Sequence, residues 1–139
     1  MPRILLVEDN DADAFLIQEA LREAGVDHPV HVETDGEAAI AHLQATEAGA
    51  EPGLMLLDLN LPRMDGREVL KRVKADPRLR QIPVIILTTS SAPDDIAMAY
   101  DRGANAFVRK PLGMDRLVDA AASIRDFWLR TASLPSGAS

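Results

Sequence analysis

The sequence predicts an α/β fold: a doubly wound parallel sheet of five strands, built as (βα)5. Two observations carry that expectation. Ile4 to Val7, Leu54 to Leu57 and Ile82 to Leu87 are continuous apolar runs without alternation, the pattern of strands covered by helices on both faces. Segments with apolar residues at helical spacing lie between and after them, so strand and helix alternate five times with no linker. Crossovers of this kind are right-handed and impose parallel pairing.

Arg3-Ile4-Leu5-Leu6-Val7 forms the first strand and runs into Glu8-Asp9-Asn10-Asp11. Asn10 and Asp11 suit the start of a helix, where acids and short polar side chains meet free N–H groups. Phe15, Ile17, Leu21 and Ala24 mark that helix, and Gly25 closes it. Val30 to Thr34 is a shorter, more polar strand expected near a sheet edge. Asp35-Gly36 turns the chain into a helix bearing Ala38, Ala39, Ile40 and Leu43. The third strand, Leu54 to Leu57, ends in Asp58-Leu59-Asn60-Leu61-Pro62. Asp65 with Glu68 forms a capping-box pattern ahead of Val69, Leu70 and Val73, and Asp76-Pro77 ends that helix. The fourth strand ends in Thr88-Thr89-Ser90-Ser91. Ser91 with Asp94, and Pro93 in the first turn, start a helix with Ile96, Ala99 and Tyr100, which Gly103 stops. Ala106 to Arg109 is the last strand, closed by Lys110-Pro111. The final helix is expected from about Met114 to Arg130, and the end of the chain, 132–139, is expected to fray.

At 139 residues, with 47% hydrophobic content, the chain is long enough for one domain with a full core. It has no cysteine, which excludes disulfides, thiolate nucleophiles and cysteine-ligated metals. The amino terminus lacks signal-peptide architecture, and no apolar run is long enough to span a bilayer, so a cytoplasmic location without membrane contact is expected. A net charge of −7 argues against nucleic acid as a partner, because phosphate backbones require a basic face.

Polar side chains stand where strands end: Glu8-Asp9, Asp58, Thr88 and Lys110. In a parallel sheet these ends lie side by side, and ligands bind in the crevice beyond them. Three carboxylates meeting one ammonium leave excess negative charge, which a hard divalent cation such as Mg²⁺ neutralises with few protein ligands, retained water and phosphate oxygens. Taken singly, Asp58 could be a turn residue, Glu8-Asp9 helix-start acids and Lys110 a solvated lysine. All of them recurring at matching strand ends favours a shared site.

The ordered set of Glu8-Asp9, Asp58 within Asp58-Leu59-Asn60-Leu61-Pro62-Arg63-Met64-Asp65-Gly66, Thr88 and Lys110-Pro111 resembles the receiver domain of bacterial two-component response regulators, with its flavodoxin-like fold. The resemblance covers essentially the whole chain, as a receiver domain over 1–131 and a flexible tail over 132–139. It implies Asp58 as phosphoacceptor, Glu8 and Asp9 as Mg²⁺ ligands with Asp58, a backbone carbonyl ligand from Asn60, and Thr88 and Phe107 as switch residues. It also implies a cis peptide between Lys110 and Pro111. Leu87 to Ser91, Asp65 to Leu70 and Phe127-Trp128-Leu129 further resemble the small regulators that partner phytochrome histidine kinases. Two positions depart from the family's commonest pattern: Glu8 is one methylene longer than aspartate, and Phe107 has no hydroxyl to hydrogen-bond in a switch.

The expected function is thus a single-domain response regulator. It takes a phosphoryl group from a sensor histidine kinase, possessing only the chemistry of its own phosphorylation and dephosphorylation. With too little chain after the last helix for an output domain, the readout is expected on the last two helices and the strand between them. Two other classes share features with this chain. An aspartate-dependent phosphohydrolase of the haloacid-dehalogenase type uses a strand-end Asp, but wants an acid two residues on, where this chain has Asn60. A flavodoxin-like electron carrier needs a phosphate loop after the first strand, and none is present. A homodimer through the end of the last helix is also expected. Leu117, Ala121, Ile124 and Trp128 form its core-facing stripe, and Phe127, Trp128 and Leu129 spread apolar surface beyond it, as interface anchors do.

Overall fold

A computed structural model of the chain describes residues 3–131 and 133. Its strands are β1 (Ile4–Val7), β2 (Val30–Glu33), β3 (Leu54–Leu57), β4 (Val84–Thr88) and β5 (Ala106–Arg109). The helices are α1 (Asp11–Glu23), α2 (Gly36–Ala45), α3 (Gly66–Ala75), α4 (Pro93–Asp101) and α5 (Met114–Ile124). The five strands form one parallel sheet in the order β2-β1-β3-β4-β5, the doubly wound arrangement expected, with β2 at an edge. Alternate side chains along each strand feed two cores. Leu5, Val7, Met55, Leu57, Val84 and Ile86 pack under α2, α3 and α4, while Ile4, Leu6, Leu54, Leu56, Ile85 and Leu87 pack under α1 and α5. Strands β1, β3 and β4 are buried throughout, which is why their sequences carry no polar alternation.

Several local expectations need correction. Phe15 is 61% exposed, because it sits about 200° around the helix from Ile17; the buried face of α1 is Ala14, Ile17, Ala20 and Leu21. No capping box forms at α3. Asp65 accepts from the Arg67 N–H at 2.8 Å, while Glu68 is drawn to Arg72 instead at 3.0 Å. At α4 the turn is made by Ser90 rather than Ser91: its hydroxyl accepts from the Ala92 N–H at 3.3 Å and donates to Asp95 at 2.6 Å. Asn10 and Asp35 do cap α1 and α2, accepting from the N–H groups of Asp13 and Ala38.

The last helix is not uniform. Its α-helical part stops at Ile124, and Arg125–Thr131 continues as a π-helix. The expected stripe holds: Ala121 and Ile124 are buried, and Leu117 and Trp128 pack against the same core, joined by Leu129. Phe127 is the one that faces outward, 54% exposed, with its ring edge-to-face against Trp128 at 5.1 Å. The Lys110–Pro111 peptide is trans, not cis, the isomer favoured by about 0.5–1 kcal/mol at X–Pro bonds. The expected fraying of 132–139 falls almost wholly outside the described residues.

Candidate functional site

The register of the sheet builds the site. Val7 of β1 pairs with Leu57 of β3, so the next residues, Glu8 and Asp58, leave adjacent strands at the same level. The Asp58 N–H bonds the Val7 carbonyl at 3.1 Å and extends the ladder by one step. One strand over, Thr88 is the last residue of β4, and its carbonyl accepts the Lys110 N–H at 2.6 Å as the chain leaves β5. Four strand ends thereby deliver two carboxylates, a hydroxyl and an ammonium to one crevice. Glu8 is 1% exposed, Asp58 7% and Thr88 0%, whereas Asp9 reaches solvent.

Lys110 holds the cluster together. Its Nζ donates to Glu8 Oε1, to Asp58 Oδ2 at 3.1 Å and to Asp13 Oδ2 at 3.4 Å. The other oxygens are tied to backbone: Asp58 Oδ1 accepts from Asn60 N–H, and Glu8 Oε2 from Asn10 N–H, both at 3.2 Å. Thr88 Oγ1 is buried and has no hydrogen-bond partner. A buried hydroxyl without a partner is destabilising. This one sits at the end of β4, the strand next to the one that runs into Asp58.

The sequence over residues 4–122 matches the response regulator receiver domain family. This chain is a member of that family. Response regulator Rcp1 of Synechocystis sp. is 44% identical, with 96% of this chain and 92% of the relative aligned. Among solved structures, the phosphorylated cyanobacterial phytochrome response regulator RcpA superposes with a TM-score of 0.90 at 46% identity, covering 97% of this chain and 99% of the other. The Mn²⁺-bound form of Rcp1 superposes with a TM-score of 0.87 at 43% identity over the same shares. The resemblance to phytochrome-partnered regulators read from the sequence agrees with these relatives.

Electrostatics in this receiver follow from burying two acids beside one lysine. Burial pushes the Glu8 carboxyl up from 4.5 to about 6, against the opposing pull of the Lys110 bond, and the neighbouring Asp58 charge pushes the same way as burial. Burial by itself would lower the Lys110 ammonium, but the Glu8 bond and the Asp58 charge outweigh it and hold Lys110 above its ordinary value. Glu8, Asp9 and Asp58 each offer an oxygen, and these lie within 4.8 Å of one another. An all-oxygen, anionic set with a buried acid resisting ionisation fits a hard divalent cation, whose charge would favour the ionised form.

Glu8, Asp9, Asp58 and Lys110 thus come together at the strand ends, with Thr88 buried at the end of the neighbouring strand. Phe107 is separate: it is half-buried on β5, packed on the α2–α4 side, and its N–H donates to the Tyr100 hydroxyl at 3.2 Å. Two contributors were not read from the sequence. Asp13, in the first turn of α1, reaches Lys110; its signal was an acid at a helix start beyond a strand-end acid pair. Gly66 is the other. A Cβ there would collide with the Asp58 carbonyl, and the Gly66 N–H bonds the Leu59 carbonyl at 2.9 Å. The glycine lets α3 start directly against the loop that carries Asp58, a tight approach that the Asp65-Gly66 turn signal hinted at only in part.

Proposed function

We propose that Asp58 accepts a phosphoryl group from a phosphohistidine on a sensor histidine kinase, in a Mg²⁺-dependent reaction. The observation that carries this reading is the cluster at the sheet's carboxyl end: two buried carboxylates held by Lys110, beside the unpartnered Thr88 hydroxyl. An Asp58 carboxylate oxygen attacks phosphorus in line. The new P–O bond forms as the P–N bond to the kinase imidazole breaks, and the released ring nitrogen takes up a proton. Glu8, Asp9 and Asp58, with the Asn60 carbonyl, would hold Mg²⁺, which neutralises charge on the phosphoryl oxygens when bound. Lys110 turns from its carboxylates to a phosphoryl oxygen, and positioning with electrostatics supplies most of the acceleration. The product is an acyl phosphate, so water ends the signal by hydrolysis.

Thr88 would gain a partner only in the phosphorylated state, which makes its hydroxyl the element that tells the two states apart. Phe107, one strand over, changes its burial as that end of the sheet tightens, and the α4–β5–α5 surface is the readout. The kinase partner is of the phytochrome class, a reading supported by the likeness to the cyanobacterial phytochrome response regulator RcpA. A homodimer through Phe127, Trp128 and Leu129 covers the outward ring of Phe127. A swapped tail through Leu134-Pro135 would involve residues outside those described. No helix among the described residues is long and apolar enough to cross a membrane, and the net charge of −7 supports a role without nucleic acid.

The test is intact mass after incubation with a small acyl-phosphate donor. Wild type gains one phosphoryl group with Mg²⁺ and none with a chelator; Asp58→Asn gains none. Uptake by Asp58→Asn, or uptake indifferent to the chelator, overturns the assignment.

A further inference from the structure

A second cluster of metal-ligating side chains lies at the open edge of the sheet. His31 and Glu33 are two residues apart on β2, so their side chains share a face, and the pairing of His31 with Leu5 and Glu33 with Val7 makes it the face that α2 covers. α2 brings His42 onto the same spot. His31 Nε2 lies 2.6 Å from Glu33 Oε2, and His42 Nδ1 lies 3.8 Å from that same oxygen. The two imidazoles are stacked, with centroids 4.1 Å apart and an interplanar angle of 12°. One ligand atom from each of the three residues falls within 4.8 Å of the others.

The fold does not need this arrangement. β2 is an edge strand, paired with β1 on one side only, and half of the His31 side chain is exposed. Apart from the His31–Glu33 bond, neither ring has a hydrogen-bond partner among the described residues. Burial, with the neighbouring His31 ring, lowers the His42 imidazole from its ordinary value, which favours the neutral form that offers a lone pair. Two imidazoles and one carboxylate are a ligand set for a borderline cation, unlike the all-oxygen set of Glu8, Asp9 and Asp58.

We propose that His31, Glu33 and His42 form a second metal site, which takes a divalent cation of the zinc class with solvent in the fourth position. Bonds of about 2.0–2.2 Å in a tetrahedron put ligand atoms roughly 3.3–3.5 Å apart. The 2.6 Å His31–Glu33 pair therefore has to open and the 3.8 Å His42–Glu33 pair to close slightly, and the parallel rings have to splay so that both lone pairs aim at one point. His31, with half its side chain in solvent, has the room to turn. The site is near the phosphoacceptor crevice but distinct from it: the Glu33 carbonyl accepts the Glu8 N–H at 3.0 Å, while its carboxylate faces α2.

Zinc could also enter the acidic crevice, so the experiment is a titration of the full chain with Zn²⁺ against a chromophoric chelator, in excess Mg²⁺. One equivalent is expected to bind. His31→Ala, His42→Ala and Glu33→Gln are each expected to weaken it roughly tenfold or more, while Asp58→Asn and His28→Ala leave it unchanged. Each variant is first checked for a wild-type circular dichroism spectrum. On the wild type, ring-proton resonances of His31 and His42 move with zinc as the stack opens, and those of His28 stay. Three results each overturn the proposal: no zinc bound by wild type at up to high micromolar concentration, equal binding by the three ligand variants, or a loss on Asp58→Asn matching that on His42→Ala. None of these depends on whether Asp58 accepts phosphoryl.

Discussion

Glu8 makes the apo protein less stable as pH rises, and the size of that effect follows from its burial. Its carboxyl is raised from 4.5 to about 6, so the folded chain holds this proton more tightly than the unfolded chain does. The contribution to stability is present in full below about 4.5 and is lost as pH rises through about 6. At about 1.36 kcal/mol per unit, the shift corresponds to about 2 kcal/mol by neutral pH. Glu8→Gln keeps the shape and the acceptor toward Lys110 but cannot ionise. Urea denaturation of both proteins in chelator, at steps from pH 4.5 to 7.5, isolates Glu8 because other titrating groups cancel in the difference. With a slope of about 2 kcal/mol per molar, the glutamine variant is expected to gain about 1 M in midpoint over wild type across that range. Saturating Mg²⁺ should stabilise ionised wild type and shrink the gap. A pH-independent difference, or one in which wild type gains on the variant, would show that burial does not dominate Glu8 and refute the reasoning.

Three further outcomes follow from the same geometry. Thr88→Val removes a hydroxyl that has no partner, so the unphosphorylated protein is expected to gain up to about 1 kcal/mol and still take up phosphoryl; hydrogen-exchange changes over α4 and β5 identical to wild type would refute its switch role. Gly66→Ala places a methyl against the Asp58 carbonyl, and is expected to lose about 1–3 kcal/mol in urea denaturation and to slow phosphoryl uptake in the mass assay; wild-type behaviour in both would remove Gly66 from the site. In sedimentation at micromolar concentration, wild type is expected as a dimer, with Trp128→Glu and a truncation before Asp126 as monomers. A monomeric wild type, or two dimeric variants, rules the interface out.

The sheet was legible because burial on both faces leaves a signature that survives without structure. Ile4 to Val7 and Leu54 to Leu57 read as strands because short unalternating apolar runs that end in polar turn residues suit a strand covered on both faces. The strand-end polar residues were legible for the same reason: Glu8, Asp58 and Thr88 interrupt apolar runs without entering solvent. Details that depend on competition between polar groups were not legible. Glu68 suits a capping box until Arg72 claims it, and Ser90 outcompetes Ser91 because Asp95, also bonded to Arg67 at 2.9 Å, is there to receive its hydroxyl. Gly66 and Asp13 act through contacts distant in sequence or through the absence of a side chain, neither of which a spacing rule detects. The change to a π-helix at Arg125 leaves no mark either, since its residues keep an apolar stripe of helical spacing.

If Thr88 is the switch proposed above, its unpartnered hydroxyl would set the dynamic range of the signal. Lys110 already has carboxylates around it, so moving to a phosphoryl oxygen exchanges one anion for another and contributes little difference between states. Thr88 would go from no partner to a charged one, worth about 1.5–3 kcal/mol. That re-partitions two conformations by roughly ten- to 150-fold, short of the about 5.5 kcal/mol that carries a population from 1:99 to 99:1. A chain resting at about one per cent active would rise to between a tenth and somewhat over half. Such an output would behave as a dial rather than a latch, and a partner that binds only the active form would supply the rest of the amplitude.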